Sequence, residues 1–223
     1  MKKILIVAAS QIEVKELLKK RTVEKVNNSD IISFSLNNKE INVLVTRIGM
    51  VATTYYLTKT LSESTYDYVI NIGICGSFNK QLKMAEVVEI TEDIFAEIAV
   101  ETSEGLKAFN FNDDNGNEFS NNVINKNPIL SPSLIPLKKL KGITVNTITA
   151  SADRKKMLTD LYNPDVESME GAAFLYVCNG FNMRCLQLRS TSNETGHYNK
   201  NSWYIEKAVK TLTKVVEQLL IEL

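Results

Sequence analysis

The chain is poor in the residues that most often announce a mechanism. It has a single histidine, His197, set in a Gly/Asn-rich loop where such a side chain is usually solvated. Its three cysteines, Cys75, Cys178 and Cys185, are odd in number and show no metal-ligand spacing, so a reduced cytoplasm is expected. Excess charge is missing as well, because 26 basic and 26 acidic residues cancel and the pI is near 6.6. That balance builds neither a nucleic-acid surface nor a polybasic membrane patch. No stretch approaches the ~20 apolar residues of a membrane helix. The opening "MKKILIVAAS" places lysines before an apolar run, yet the run is short of the ~7–15 residues of a signal peptide and "EVKELLKK" follows at once.

What is present is ordinary globular composition, 44% hydrophobic over 223 residues, enough for one domain with a substantial core. The run "KILIVAA" (3–9) reads as a parallel strand covered on both faces, with a helix over 11–20. "DIISFSL" and "EINVLVTRI" read as strands around a turn at Asn38 and Lys39. A helix ("VATTYYLTKTLSES"), a buried strand ("YDYVINIGICG") and an alternating strand ("AEVVEITEDIFAE") follow, the glutamates of the last expected to face solvent or a site. Next come a strand at 142–150, a helix over "ADRKKMLTDLY", a helix over "MEGAAFLYVCNGF" stopping at Gly180, and a strand over "MRCLQLRS". The chain closes as an amphipathic helix with apolar positions 205, 208, 209, 212, 215, 216, 219 and 220. This alternation predicts an α/β fold: a single domain over 1–223, a mixed central β-sheet flanked by helices on both sides. The irregular tract at about 103–140, rich in Asn, Asp, Gly, Ser and Pro, is expected to be a loop-rich insertion or lid.

The residues that could carry chemistry each have a structural account too. Ser10 and Glu13 in "ASQIEV" have the S-x-x-E spacing of a helix capping box. Glu13 also falls at the carboxyl end of the first strand, where α/β sites open, and could serve as a general base. "NIGICGS" puts Gly73 and Gly76 at the end of a buried strand. It lacks the dinucleotide fingerprint and the Lys-Ser/Thr of a P-loop, so it marks a tight turn or a close backbone approach. Glu170 in "ESMEGAAF" opens a helix, where the helix dipole favours an acid, and Gly171-Ala172-Ala173 permits close packing. Cys75 with His197 could form a thiol and base pair, against Cys75 as a small buried hydrophobe. "LQLRSTSNETG" is a strand that dissolves into Arg189, Ser192 and Asn193, at a place where such folds hold ligands.

Taken in order, "KILIVAASQIEV", "TRIGMVATTYYLTKTL", "YDYVINIGICGSF", "MAEVVEI", "ESMEGAAFLYVCNGF" and "LRSTSN" resemble the nucleoside phosphorylase and nucleosidase superfamily. The resemblance is to its branch of methylthioadenosine/S-adenosylhomocysteine nucleosidases and futalosine hydrolases. Most specific is the Met-Glu-Gly-Ala-Ala helix followed by Arg-x-x-Ser-Asn. The resemblance implies hydrolysis of the bond between ribose and a purine through an oxocarbenium-like transition state. It also implies no metal, no organic cofactor, and a homodimer or larger homo-oligomer. On the same ground Glu13 would activate water, and Glu170 would hold the ribose hydroxyls with Met169 packed on the sugar. Arg189 and Ser192 would line that end, Ile74, Cys75 and Gly76 would lie against the nucleoside, and Asn193 would face the leaving base.

Adenine-cleaving members carry an aspartate where this chain has Asn193. An amide NH₂ has two donors and suits the O6 and N7 acceptors of hypoxanthine. A carboxylate there would set acceptor against acceptor, a mismatch of about 1–3 kcal/mol. The Ser-Asn pair with Trp203 shortly after resembles the futalosine hydrolases, which release hypoxanthine in menaquinone biosynthesis. A 6-oxopurine nucleoside, futalosine first, is therefore the expected substrate. The rivals are an adenine nucleosidase, a purine nucleoside phosphorylase, and a nucleoside-binding protein without turnover. Phosphorolysis is disfavoured because "AASQIEV" has no glycine-rich anion loop and Glu13 would repel phosphate, although Arg47 and Arg189 are available. Two departures from the family pattern are Ala85-Glu86, where it has Gly-Asp, and the loop "NETGHYNKN".

Overall fold

The computed structural model describes residues 1–19, 21–26, 31–109, 120–129 and 136–223. In chain order its elements are β1 (Lys2–Ala8), α1 (Gln11–Leu18), β2 (Glu24–Lys25), β3 (Ile31–Leu36), β4 (Lys39–Val45), α2 (Met50–Glu63), β5 (Tyr68–Ser77) and β6 (Val87–Phe95). There follow β7 (Ala99–Thr102), β8 (Gly105–Ala108), β9 (Asn122–Ile124), β10 (Lys139–Thr144), α3 (Ala152–Tyr162), β11 (Val166–Ser168), α4 (Gly171–Gly180), β12 (Cys185–Glu194) and α5 (Ile205–Glu222). Ten strands form one mixed sheet in the order β11-β10-β6-β12-β5-β1-β4-β3-β2, with β9 paired to β6, while β7 and β8 form a separate hairpin. β11 also pairs with β5, antiparallel, so β5, β12, β6, β10 and β11 form a closed circuit.

Both faces of the sheet are covered, which explains the unbroken apolar run of β1. Ile4 and Ile6 pack with Val14 and Leu17 of α1 and Leu212 and Val216 of α5. The alternate residues Leu5 and Val7 pack on the other side with Leu57 of α2 and Phe174 and Leu175 of α4. Each such side chain contributes about 1.5–3 kcal/mol by leaving water, so a polar residue at any of these positions is costly. In α5 the apolar stripe is buried as its spacing requires, through Ala208, Val209, Leu212, Val216, Leu219 and Leu220.

Several expectations are corrected. The β3–β4 turn is Asn37-Asn38, one residue earlier than read, because asparagine tolerates the left-handed φ of +47° and +58° found there. The strand expected at 142–150 is β10, ending at Thr144, which frees 145–150 to run toward the site described below. The irregular tract supplies β8 and β9, and β9 adds to the main sheet. The rest of any lid there lies in 110–119 and 130–135, outside the described residues. Not every glutamate of this segment faces solvent or the site: Glu89 in β6 is 1% exposed, whereas Glu86, just before the strand, pairs with Lys138 at 2.8 Å. Ala85 holds the left-handed φ of +64° that a glycine would take without strain.

Candidate active site

The parallel strands β1, β5 and β12 end on the same side of the sheet, and a cavity opens there beside β11 and the start of α4. Of the residues singled out in the sequence, Glu13, Ile74, Cys75, Gly76, Met169, Glu170, Ser192 and Asn193 all line it. Residues far apart in the chain thus meet because parallel strands carry their following segments to one edge.

Glu13 combines its two sequence readings. Its Oε2 accepts the backbone N–H of Ala9 at 3.1 Å and of Ser10 at 2.9 Å, plus the Ser10 hydroxyl at 3.1 Å. Helix capping therefore uses one oxygen. Oε1 accepts the Ile74 N–H at 3.2 Å and keeps a lone pair for the cavity. Burial, and then the neighbouring Glu170 charge, push the Glu13 carboxyl above its ordinary range, while Arg189 opposes them. Glu170 is the N-cap of α4, and its Oε1 accepts the Gly49 N–H at 2.9 Å at the start of α2. A carboxylate at a helix N-terminus is stabilised by the amides and dipole there.

Asn193 has a neighbour at each atom of its amide. Ser192 Oγ lies 2.8 Å from Asn193 Oδ1, and Asn193 Nδ2 donates to the Glu194 carbonyl at 3.1 Å, which leaves one N–H unengaged. Gly76 makes this possible, because a Cβ there would stand 3.2 Å from Asn193 Nδ2 and 2.9 Å from a Thr195 methyl.

Arg189 does not line the cavity. It is 1% exposed beneath the floor, donating to Asn71 Oδ1 at 2.5 Å and to its neighbour's carbonyl, Leu188 O, at 3.1 Å. A Cβ at Gly73 would sit 2.9 Å from Glu13 Oε1 and 3.4 Å from Arg189 Nη1, so the glycine is what lets the guanidinium approach under the carboxylate. The thiol nucleophile also fails: burial pushes the Cys75 thiol up to about 12, and His197 is exposed in its loop. Among the described residues no cluster of three or more His, Cys, Asp or Glu is placed to hold a metal.

Sequence reasoning missed five lining residues, Ala9, Ile48, Ile148, Glu167 and Ser168. Ile48 follows β4, Ile148 follows β10, and Glu167 belongs to β11, a three-residue strand too short to have a periodicity. Glu167 is 5% exposed; its Oε1 accepts the Thr149 N–H at 3.0 Å and its Oε2 the Thr149 hydroxyl.

This arrangement has a known setting, since a sequence model of the phosphorylase superfamily matches residues 3–221. The chain belongs to the phosphorylase superfamily. Among superfamily members, it is 26% identical over 186 residues to futalosine hydrolase of Thermus thermophilus, covering 80% of each chain. It is 27% identical over 206 residues to aminodeoxyfutalosine nucleosidase of Helicobacter pylori, covering 84% of this chain and 82% of that one. The crystal structure of 5'-methylthioadenosine/S-adenosylhomocysteine nucleosidase from Helicobacter pylori superposes with a TM-score of 0.84 at 23% identity. That match covers 100% of this chain and 99% of the other, and it establishes a shared fold.

Proposed function

We propose that the protein hydrolyses the N-glycosidic bond of a purine nucleoside, with a 6-oxopurine as the leaving base and futalosine as the leading substrate. The observation that carries this reading is the convergence of Glu13, Glu170 and the Asn193 amide on one cavity, each with hydrogen-bonding capacity left over. Glu13 Oε1 takes a proton from water as the water oxygen attacks the anomeric carbon. Its raised proton affinity suits a base working nearer neutrality. Glu170 accepts hydrogen bonds from the ribose hydroxyls, and Met169 packs on the sugar. The electron pair of the breaking C–N bond passes to the purine, where the free N–H of Asn193 meets N7.

Water rather than phosphate is the favoured nucleophile. Among the described residues lining the cavity there are three glutamates and no lysine or arginine, a field that repels a phosphate anion. The relatives' names divide among futalosine, aminodeoxyfutalosine and 5'-methylthioadenosine/S-adenosylhomocysteine, so the choice of base rests here on Asn193. The reading includes a homodimer or larger homo-oligomer in the cytoplasm. Exposed Ile48, Val51 and Tyr55 give the apolar surface that such a contact would cover.

The deciding assay follows base release from futalosine, inosine and methylthioadenosine, with and without phosphate. Hypoxanthine release that is independent of phosphate is expected. Formation of ribose 1-phosphate would make the protein a phosphorylase, faster release of adenine would make it an adenine nucleosidase, and tight binding without product would make it a binding protein.

A further inference from the structure

Glu170 stands at the N-cap of α4, where a side chain ordinarily accepts a first-turn N–H of its own helix. Its carboxyl does not do so. It accepts the Gly49 N–H instead and lines the cavity. The first amides of a helix have no partner within it and, when buried, must find one outside. Here other side chains supply it. Ser168 Oγ accepts the Gly171 N–H at 3.2 Å, and Thr144 Oγ1 accepts the Ala172 N–H at 2.8 Å.

Thr144, at the end of β10, is 0% exposed and does not line the cavity. Its hydroxyl has one proton, which it donates to Asp93 Oδ1 at 2.8 Å. That donation leaves an oxygen lone pair for Ala172. The residue after Glu170 has to be glycine for this contact to form. A Cβ at Gly171 would stand 2.0 Å from Asp93 Oδ2, so a larger residue would lift the first turn of α4 off Thr144. The buried Asp93 carboxylate below the helix start also meets the favourable end of the helix dipole.

We propose that Thr144 is a positioning residue for nucleoside binding: by capping α4 in place of Glu170, it keeps that carboxyl free for the ribose. The inference rests on the nucleosidase reading, in which Glu170 holds the ribose hydroxyls. Without the Thr144 hydroxyl, the Ala172 N–H loses its acceptor. The N-cap side chain, the carboxyl of Glu170, is then the natural replacement. A carboxyl drawn back onto its own helix is lost to the substrate. Thr144 thus acts on the ligand through Glu170 and touches neither sugar nor base.

The test compares Thr144→Val, which keeps the shape and loses the hydroxyl, with Thr144→Ser, which keeps the hydroxyl. Steady-state KM and kcat are measured for inosine, and affinity by titration for 2′,3′-dideoxyinosine, which lacks both hydroxyls that Glu170 would hold. Thr144→Val is expected to raise KM for inosine by about ten- to a hundredfold, with kcat within about threefold of the parent. Thr144→Ser should keep the parent KM, and dideoxyinosine should bind the parent and Thr144→Val equally. An unchanged inosine KM in Thr144→Val, a loss that Thr144→Ser shares, or an equal loss for dideoxyinosine overturns the inference. Amide exchange at Ala172 gives a check that needs neither turnover nor a folded Thr144→Val. In Glu170→Ala the protection of this N–H should stay as in the parent; its loss would make Glu170 the cap and overturn the inference. A parent that binds no nucleoside sinks the nucleosidase reading, and retained Ala172 protection in Glu170→Ala then still supports the capping arrangement.

Discussion

Two polar regions lie along the same central strands, and they differ in where their hydrogen-bonding capacity points. One is the cavity at the strand ends, with Glu13, Glu167, Glu170 and Asn193. The other is a layer beneath it, made of Asn71, Asp93, Thr144, Gln187 and Arg189, none more than 2% exposed. In that layer Asp93 accepts from Thr144 Oγ1 at 2.8 Å and Gln187 Nε2 at 2.9 Å, and Thr144 Oγ1 accepts the Ala172 N–H of α4 at 2.8 Å. Asn71 takes Arg189 on one side and gives its amide to the Val7 carbonyl at 2.9 Å. The lower groups mostly bond one another and so tie β1, β5, β6, β10, β12 and α4 together. The upper groups keep donors and acceptors for open space. Residue type and burial are similar in both, so composition alone does not mark which region binds a ligand.

The largest expected effect is at the upper region. Glu13→Gln should lower kcat by about 10²–10⁴-fold with nucleoside binding largely intact, measured by steady-state assay and titration. Loss of folding instead would make Glu13 a capping residue only. The two glycines facing these regions separate them further. Gly73→Ala pushes on Glu13 Oε1 and should cost up to about 10²-fold in kcat. Gly171→Ala would place a Cβ 2.0 Å from Asp93 Oδ2 and 2.2 Å from Gln187 Nε2. It should destabilise by about 1–3 kcal/mol or more in denaturant unfolding. If both variants lose activity and stability in the same proportion, the division into two regions is wrong.

Asn193→Asp should reduce kcat/KM for inosine by about tenfold or more, through an acceptor placed against O6 and N7. A variant that cleaves inosine as well as the parent would refute the account of that edge. pH distinguishes the regions by sign. The raised Glu13 carboxyl means that activity should fall on acidification through a pH above the ordinary 4.5. Burial raises Asp93 from 3.8 to about 6, against its hydrogen bonds and Arg189. The folded protein therefore holds a proton that the unfolded chain has released, a contribution complete below about 4 and lost as pH rises through about 6. Unfolding free energy should show this decline, and Asp93→Asn should flatten it. The smallest effect is Ala85→Gly, expected to stabilise by about 0.5–1 kcal/mol by relieving the positive φ, read from the denaturant midpoint.

Much of the fold was legible because it rests on local pattern. β1 shows as an apolar run since both faces are covered, and α5 as a stripe since one face is. The upper site was legible in its helix starts: Glu13 beside Ser10, Glu170 before Gly171-Ala172-Ala173, and Asn193 at a strand's polar end. Two things were not. β11 is three residues long and joins the circuit only through its pairing with β5 and β10. Arg189 reads from sequence as a site residue, yet Asn71, 118 positions away, holds it beneath the floor.

The sequence by itself determined the α/β class, the strands and helices of strong periodicity, and the candidate carboxylates and amide. Those features follow from neighbours three or four positions apart on a helix and two apart on a strand. Tertiary structure alone decided which polar residues face the cavity and which bond one another below it. It also brought Glu167 into register with Asn193 across Gly76, because register between strands is set by pairing over long chain separations and leaves no mark in local pattern.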